Sequence, residues 1–159
     1  ELDNMRNYVF INHVRYGERI KVRYFVAPDT TCCEVPKLII QPFIENAFFH
    51  AFNKKHEGTV SIMVSKQEGT LICEVVDNGD GMEFSTGSEQ LPNPTSKRQL
   101  FTGIGIRNVH DRIKLLYGDP YGVHIESTIG EGTKIRIVLP IMERTEEREA
   151  EGPHVAWMT

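Results

Sequence analysis

Two glycine-rich stretches and one polar patch in an apolar run contain the residues whose types and spacing could do chemistry. The first stretch, "EVVDNGDGM" at 74–82, is a strand-like run that ends in two turn signals, Asn78-Gly79 and Asp80-Gly81. A β-hairpin would need a second strand at once, but "MEFSTGSEQLPNPTSKRQ" has neither alternation nor β-branched density. We therefore expect the glycines to open the backbone to a ligand at the end of a strand.

Asp77, at the end of that strand, could accept a hydrogen bond from an exocyclic amine such as that of adenine. Gly79 and Gly81 would then leave room for the ring. The alternative is an aspartate that only caps a loop. A short motif does not separate these two interpretations.

The second stretch is Gly103-Ile104-Gly105, which opens a predicted helix at 103–118. Free N–H groups and the positive dipole end make a helix N-terminus favourable for phosphate, and Arg107 and Asn108 are polar groups nearby. A dinucleotide fingerprint would need glycine at position 108 and a strand just before the motif. A long loop precedes the motif instead, and we reject the Rossmann interpretation.

The polar patch lies in "VPKLIIQPFIENAFFHAF" at 35–52, which is predicted to be a buried helix. Glu45, Asn46 and His50 interrupt its apolar side chains, and Asn46 and His50, four residues apart, share a face. Buried polar groups need partners, which could be loop backbone or a ligand. An amide oxygen such as that of Asn46 is a hard donor suited to Mg²⁺.

The elements that position these residues follow from hydrophobic periodicity and turn signals. Pro36 suits the first turn of the 35–52 helix, whereas Pro42 is expected to cost about 3 kcal/mol or to bend the axis. Residues 82–102 have no sustained period and are predicted to be a lid. The other predicted elements are a helix in 1–16, strands at 19–26, 58–67 and 70–78, and a strand pair in 121–140.

Composition favours one globular domain, because 159 residues with 40% hydrophobic content can bury one sizeable core. No run is apolar enough to span a membrane, and the first residues do not form a signal peptide. The chain begins without Met, so it could be a fragment of a longer protein.

Charge and cysteine usage exclude other classes. The formal charge is 18 − 22 = −4, of which the tail at 143–159, expected to be disordered, supplies −3 from five Glu and two Arg. The rest is near neutral, so nucleic-acid binding is not expected. Cys32, Cys33 and Cys73 form no CxxC pair, as expected of a reduced cytosolic protein without a thiolate metal site.

Four motifs in order resemble one family: "ENAFFH" in a helix, "DNGDG" at a strand end, "GIGIRN" after a lid, and "GEGT" at 130–133. The pattern is similar to the ATP-binding domain of the superfamily that contains DNA gyrase, the Hsp90 chaperone, sensor histidine kinases and the mismatch-repair ATPases. The residues of these motifs are most similar to those of bacterial sensor histidine kinases of the LytS and YesM kind. The matching segments here are "PKLIIQPFIENA", "DNGDGM" and "GIGIRN".

The resemblance implies an α/β fold of the Bergerat type, an α+β two-layer sandwich with about five strands in a mixed sheet and three helices on one face. Residues 18–142 would form the ATP-binding domain with a lid at 82–102, after a linker helix at 1–17 from an upstream dimerisation and phosphoacceptor region. The nucleotide-binding residues would be Asn46, His50, Asp77, Gly79, Gly81, Met82, Gly103, Gly105, Arg107, Asn108 and Thr133.

The resemblance also implies roles within this set. Asn46 would hold Mg²⁺, Asp77 would bind the adenine amine with support from Thr133, and Gly103, Gly105 and Asn108 would meet the phosphates of ATP. Glu45 is the candidate catalytic residue, which could orient the acceptor or a metal-bound water, with helix packing as the alternative.

Departures from the family pattern bear on the reaction. Phe49 stands where a Lys often precedes the helical His, so one phosphate contact is in doubt. Hydrolysing relatives carry a Glu four residues before the metal-binding Asn, and this chain has Pro42 there, which cannot act as a base. This favours phosphoryl transfer to a protein acceptor over hydrolysis.

The acceptor histidine of this kinase subgroup belongs to an upstream helical domain, and His13 lacks the acidic neighbour of an acceptor. The fragment is therefore expected to bind ATP without labelling itself. The resemblance implies a response regulator downstream, a homodimeric full-length protein, and a cytoplasmic location on a membrane-anchored sensor. Two alternatives remain, a stand-alone serine kinase or ATPase of the superfamily and a non-catalytic nucleotide-responsive module.

Overall fold

Five strands form one mixed sheet in a computed structural model of the chain. It describes residues 6–11, 19–52, 54–55, 57–81 and 97–143, with all side chains in these ranges except those of residue 50 and residues 97–104. The strands are β1 (Ile20–Val26), β2 (Gly58–Gln67), β3 (Thr70–Asp77), β4 (Gly122–Thr128) and β5 (Gly132–Pro140). Their order is β1-β2-β3-β5-β4, with β1 parallel to β2 and the other pairs antiparallel.

Three α-helices of the described residues contribute side chains to the core that the sheet buries: α1 (residues 6–11), α2 (Gln41–Asn46) and α3 (Lys97–Tyr117). Alternation along the strands turns one set of side chains toward them, so that in β2 Val60 and Ile62 are fully buried while Ser61 between them is not. The most deeply buried side chains from the helices include Phe43, Ile44 and Ile113. The two-layer α/β fold with a mixed five-stranded sheet is therefore confirmed.

The β2–β3 hairpin has the predicted turn. Glu68 and Gly69 both have positive φ, 47° and 78°, as a two-residue turn that matches the strand twist requires. The strands lie within one or two residues of the predicted bounds, because alternation and turn residues agree along them.

The prediction that a helix spans 35–52 is wrong at its start. Residues 35–40 are irregular, Leu38 has a φ of 61°, and α2 begins at Gln41. Pro42 therefore lies in the first helical turn, where its missing N–H costs no hydrogen bond, and the predicted penalty does not arise. Beyond Asn46 the chain continues into a π-helical turn, Ala47–Ala51.

The prediction that a helix begins at Gly103 is also wrong. The helix α3 begins at Lys97, so the last six residues of the predicted 82–102 lid are helical. The segment "KRQLFT" contains no proline or glycine, and Pro94 is the last helix breaker before it. In the part of the chain that the structure describes, no helix is long and apolar enough to cross a membrane.

Candidate functional site

Asp77 is the last residue of β3, and its side chain is 8% exposed. Its Oδ1 accepts hydrogen bonds from the backbone N–H groups of Gly79, at 2.9 Å, and Thr133, at 3.3 Å. Thr133 is also its register partner on β5, so sheet pairing and the loop after β3 fix the same carboxylate. Neither hydrogen bond uses Oδ2. The structure thus brings together Asp77, Gly79 and Thr133, three of the residues that the family resemblance implies for the nucleotide site.

Burial raises the pKa of the Asp77 carboxyl above its ordinary value, and the N–H groups of Gly79 and Thr133 oppose this rise. The hydroxyl of Thr133 lies 2.9 Å from that of Ser127 on β4. An ionised carboxylate held through one oxygen can offer the other to an amine donor.

The structure gives a different reason for glycine in the loop after β3. A Cβ on Gly79 would lie 2.2 Å from the carbonyl oxygen of Ala51, and one on Gly81 would lie 2.0 Å from that of Thr128. Gly81 also has a φ of 66°. Both glycines are therefore required by close approach to protein backbone, and their place beside an adenine ring stays a prediction.

Asn46 ends α2 where the helix widens into the π-helical turn, a distortion common at functional sites. Its side-chain nitrogen Nδ2 is buried and has no hydrogen-bond partner among the described residues. Because Gly79 packs against Ala51, the last residue of that turn, the helix of Asn46 and the loop of Asp77 meet. An unsatisfied buried amide at this junction points to a polar ligand.

Other predicted residues are placed with less detail. The Oε1 of Glu45 accepts a hydrogen bond of 2.8 Å from Nε2 of Gln41, one turn earlier, a contact that fits the helix-packing alternative. The side chain of His50 and the whole of Met82 lie outside the described residues.

Gly103 and Gly105 lie inside α3 rather than at its start. In a continuous helix from Lys97 their N–H groups bond to carbonyls four residues earlier, so the dipole argument for phosphate does not hold in this conformation. Arg107 and Asn108 follow on the exposed side of α3. Among the side chains that the structure describes, a Cβ on Gly105 would meet only Pro42, at 3.9 Å, so their packing does not require glycine there.

Sequence reasoning missed a cluster that we name the clasp, formed by Lys55, Asn78, Asp80 and Gly130. The Nζ of Lys55 donates to the carbonyl oxygens of Asn78, at 2.8 Å, and Gly130, at 2.7 Å. The carboxylate of Asp80 accepts the backbone N–H groups of Lys54, at 2.7 Å, and Lys55, at 3.1 Å. The Asp80-Gly81 pair gives only a turn signal in the sequence, and no pattern connects it with a segment 25 residues earlier.

These residues fit an adenine nucleotide. Asp77 supplies a buried acceptor for the amine, and Asn46 supplies an amide whose buried nitrogen has no hydrogen-bond partner in the described part of the chain. Since amide oxygen and nitrogen are assigned from hydrogen bonds, that side chain can present its oxygen to Mg²⁺. Among the described residues, no group of three His, Cys, Asp or Glu side chains could hold a metal ion. Beyond Asn46, the ion would depend on phosphate oxygens of the nucleotide and on water.

Several characterised proteins are similar to this chain in sequence. "Sensor protein LytS" of Bacillus anthracis is 32% identical over 149 residues, which cover 93% of this chain and 25% of that protein. "Sensor histidine kinase YesM" of Bacillus subtilis is 34% identical over 88% of this chain and 23% of that protein. The chain thus spans about a quarter of the length of the curated relatives it matches.

Solved structures show the same fold. The catalytic domain of histidine kinase ThkA superposes with a TM-score of 0.61 at 15% identity, over 90% of this chain and 95% of that domain. A blue-light activated histidine kinase of Erythrobacter litoralis also gives 0.61, at 21% identity, over 86% of this chain and 40% of that one. Residues 34–143 match the family model described as histidine kinase-, DNA gyrase B-, and HSP90-like ATPase. This match holds Asn46, Asp77, Gly105 and Thr133, and the chain belongs to that ATPase family.

Proposed function

We propose that this chain is the catalytic domain of a sensor histidine kinase, which binds Mg-ATP and transfers the γ-phosphoryl group to a histidine on a separate upstream domain. The observation that carries the proposal is the buried Asp77 carboxylate at the end of β3, held through Oδ1 with Oδ2 not used by those bonds. The ATPase family includes several kinds of protein, and the similarity to LytS and YesM favours a kinase among them.

Each part of the site has a physical task in this proposal. Asp77 binds the amine of adenine, Asn46 holds the metal ion through its amide oxygen, and Gly103, Gly105 and Asn108 contact the phosphates. When bound, Mg²⁺ neutralises phosphate charge. In the transfer, the bond from the γ-phosphorus to the β–γ bridging oxygen breaks, a bond to the acceptor imidazole nitrogen forms, and ADP leaves. The protein needs chiefly to position these groups.

The residue of α2 that lies beside α3 favours phosphoryl transfer over hydrolysis. The residue of α2 nearest to Gly105 is Pro42, which cannot take a proton from water. Glu45, the acidic residue of that helix, accepts a hydrogen bond from Gln41 through its Oε1. The α2 residue beside Gly105 therefore supplies no base for hydrolysis.

The resemblance extends the proposal to the parent protein. It would be a homodimeric, membrane-anchored sensor with this domain on the cytoplasmic side, and a response regulator would receive the phosphoryl group from the acceptor histidine.

Mixing the domain with the separately made upstream histidine segment, labelled ATP and Mg²⁺ tests the function. We expect acid-labile label on that segment and none on the domain, because the proposed acceptor lies outside it. Free phosphate as the main product would favour the ATPase alternative. Nucleotide binding without turnover would favour the non-catalytic module.

Replacing Gly105 with alanine is expected to stabilise the free domain by about 1 kcal/mol, because glycine is a poor helix former and the new methyl group would meet Pro42 at an ordinary contact distance of 3.9 Å. If phosphate contact needs this turn to leave the helical conformation, the same energy opposes binding and lowers ATP affinity about fivefold. Urea unfolding and calorimetric titration measure the two effects. Unchanged affinity in a stabilised variant would show that nucleotide binding leaves α3 helical at this point.

A further inference from the structure

The clasp ties together the segments that frame the candidate site. Asp80 donates its backbone N–H to the carbonyl of Ala51, at 2.6 Å, and accepts the N–H of Gly130 on its own carbonyl, at 2.7 Å. The loop after β3 is thereby bonded both to the end of the Asn46 helix and to the β4–β5 turn. Lys55 closes the same arrangement, since its ammonium bridges the carbonyls of Asn78 and Gly130.

The clasp also sets the charge around Asp77. Of the charged groups that the structure describes, two act on this carboxylate: Lys55 favours its ionised form and Asp80 opposes it. Asp80 is partly neutralised by the two backbone N–H groups that it accepts. Lys55 is therefore the cation that offsets both the burial of Asp77 and the nearby negative charge.

The neighbouring lysine provides a natural comparison. Lys54 contributes its backbone N–H to Asp80, as Lys55 does, but its side chain is exposed and its ammonium is not in the clasp. Replacement of either side chain keeps both backbone N–H groups.

We propose that Lys55 is a positioning residue for nucleotide binding, which fixes the loop after β3 against the β4–β5 turn and keeps the Asp77 carboxylate ionised to accept the adenine amine. This inference rests on the proposed function, because Lys55 is proposed to act through Asp77 rather than by contact with the nucleotide. The family motifs do not include position 55.

The test compares Lys55→Met with Lys54→Met in calorimetric titrations with ADP. We expect Lys55→Met to weaken ADP binding about tenfold or more, as removal of charge-assisted hydrogen bonds commonly does, and Lys54→Met to leave it within about twofold. Lys55→Arg, which keeps the positive charge, is expected to recover most of the affinity. Thermal unfolding of each variant checks that the domain stays folded.

Titration of the Asp77 carboxyl by NMR, without nucleotide, gives a readout that a purely structural role would not move. Its midpoint is expected to rise in Lys55→Met and to stay at the wild-type value in Lys54→Met and Lys55→Arg. The ADP affinity of Lys55→Met should accordingly fall further behind wild type as the pH is lowered from neutral.

The outcomes separate this inference from the proposed function. If wild type binds no adenine nucleotide, the proposed function fails, whereas the NMR midpoints still test whether Lys55 controls Asp77. If wild type binds ADP and the two methionine variants match it in affinity and in midpoint, the role of Lys55 is overturned. An equal loss of affinity at every pH with an unmoved midpoint would also overturn it.

Discussion

An Asp77→Asn variant is expected to lose measurable binding of adenine nucleotides, a fall of at least about 100-fold, while the domain stays folded. The Oδ1 of Asp77 already accepts two backbone N–H groups, so the asparagine oxygen would take that place. The amide nitrogen would then face the ligand amine, with a donor opposite a donor. Loss of an acceptor inside a buried site leaves the ligand group unpaired.

The same substitution is expected to leave the free energy of unfolding at pH 7 unchanged or about 1 kcal/mol higher. Burial raises the pKa of Asp77, which means that the ionised carboxylate disfavours the folded state above that pKa. In wild type this penalty is relieved as pH falls through the raised pKa toward the ordinary value, and the asparagine variant lacks this pH dependence.

Calorimetric titration with ADP and urea unfolding at several pH values measure both effects. The Lys54→Met variant serves as the control, because Lys54 is exposed and lies on a neighbouring segment. It shows how much a substitution near the site changes binding and stability without touching Asp77. If the folded Asp77→Asn variant bound ADP with wild-type affinity, the assignment of Asp77 to the adenine site would be wrong.

An Asn46→Asp variant is expected to abolish measurable Mg-ATP binding for a different reason. The Nδ2 of Asn46 is buried without a hydrogen-bond partner among the described residues, and replacement by a carboxylate adds a negative charge where the phosphates are proposed to lie. Asn and Asp have similar helix propensities and residue 46 is only half-buried, so the domain should stay folded.

Adenosine, which carries no phosphate, separates the two sites. Asn46→Asp should bind adenosine as wild type does and fail with Mg-ATP, whereas Asp77→Asn should fail with both ligands. If Asn46→Asp bound Mg-ATP with wild-type affinity, the proposal that Asn46 holds the metal ion would be contradicted.

The sheet could be predicted from the sequence because its signals are local. Alternation in "GTVSIMVSKQ" and the positive-φ pair Glu68-Gly69 determine β2 and its hairpin without reference to the rest of the chain. Asp77, Asn46 and the glycine pair could likewise be singled out as site candidates, since each lies in a motif of a few consecutive residues.

Helix starts and the loop network could not be predicted in the same way. Pro42 signals a first turn as well as an interior break, and only the left-handed Leu38 before it decides between them. Gly103 looks like a helix start because glycine disfavours helix interiors, yet α3 extends through it. In the clasp, Lys55 contacts Asn78, which is 23 positions later in the chain, and Gly130, which is 75 positions later. No local pattern encodes contacts over such separations.

The Glu68-Gly69 turn has a practical consequence. It is exposed and joins β2 to β3 at the end opposite Asp77, so the length of β3 separates them, roughly 23 Å at the usual rise per residue. A cysteine for a fluorescent dye or a short epitope tag inserted there would sit outside the sheet pairing on either side. That turn is therefore the place to attach a reporter for following nucleotide association in real time.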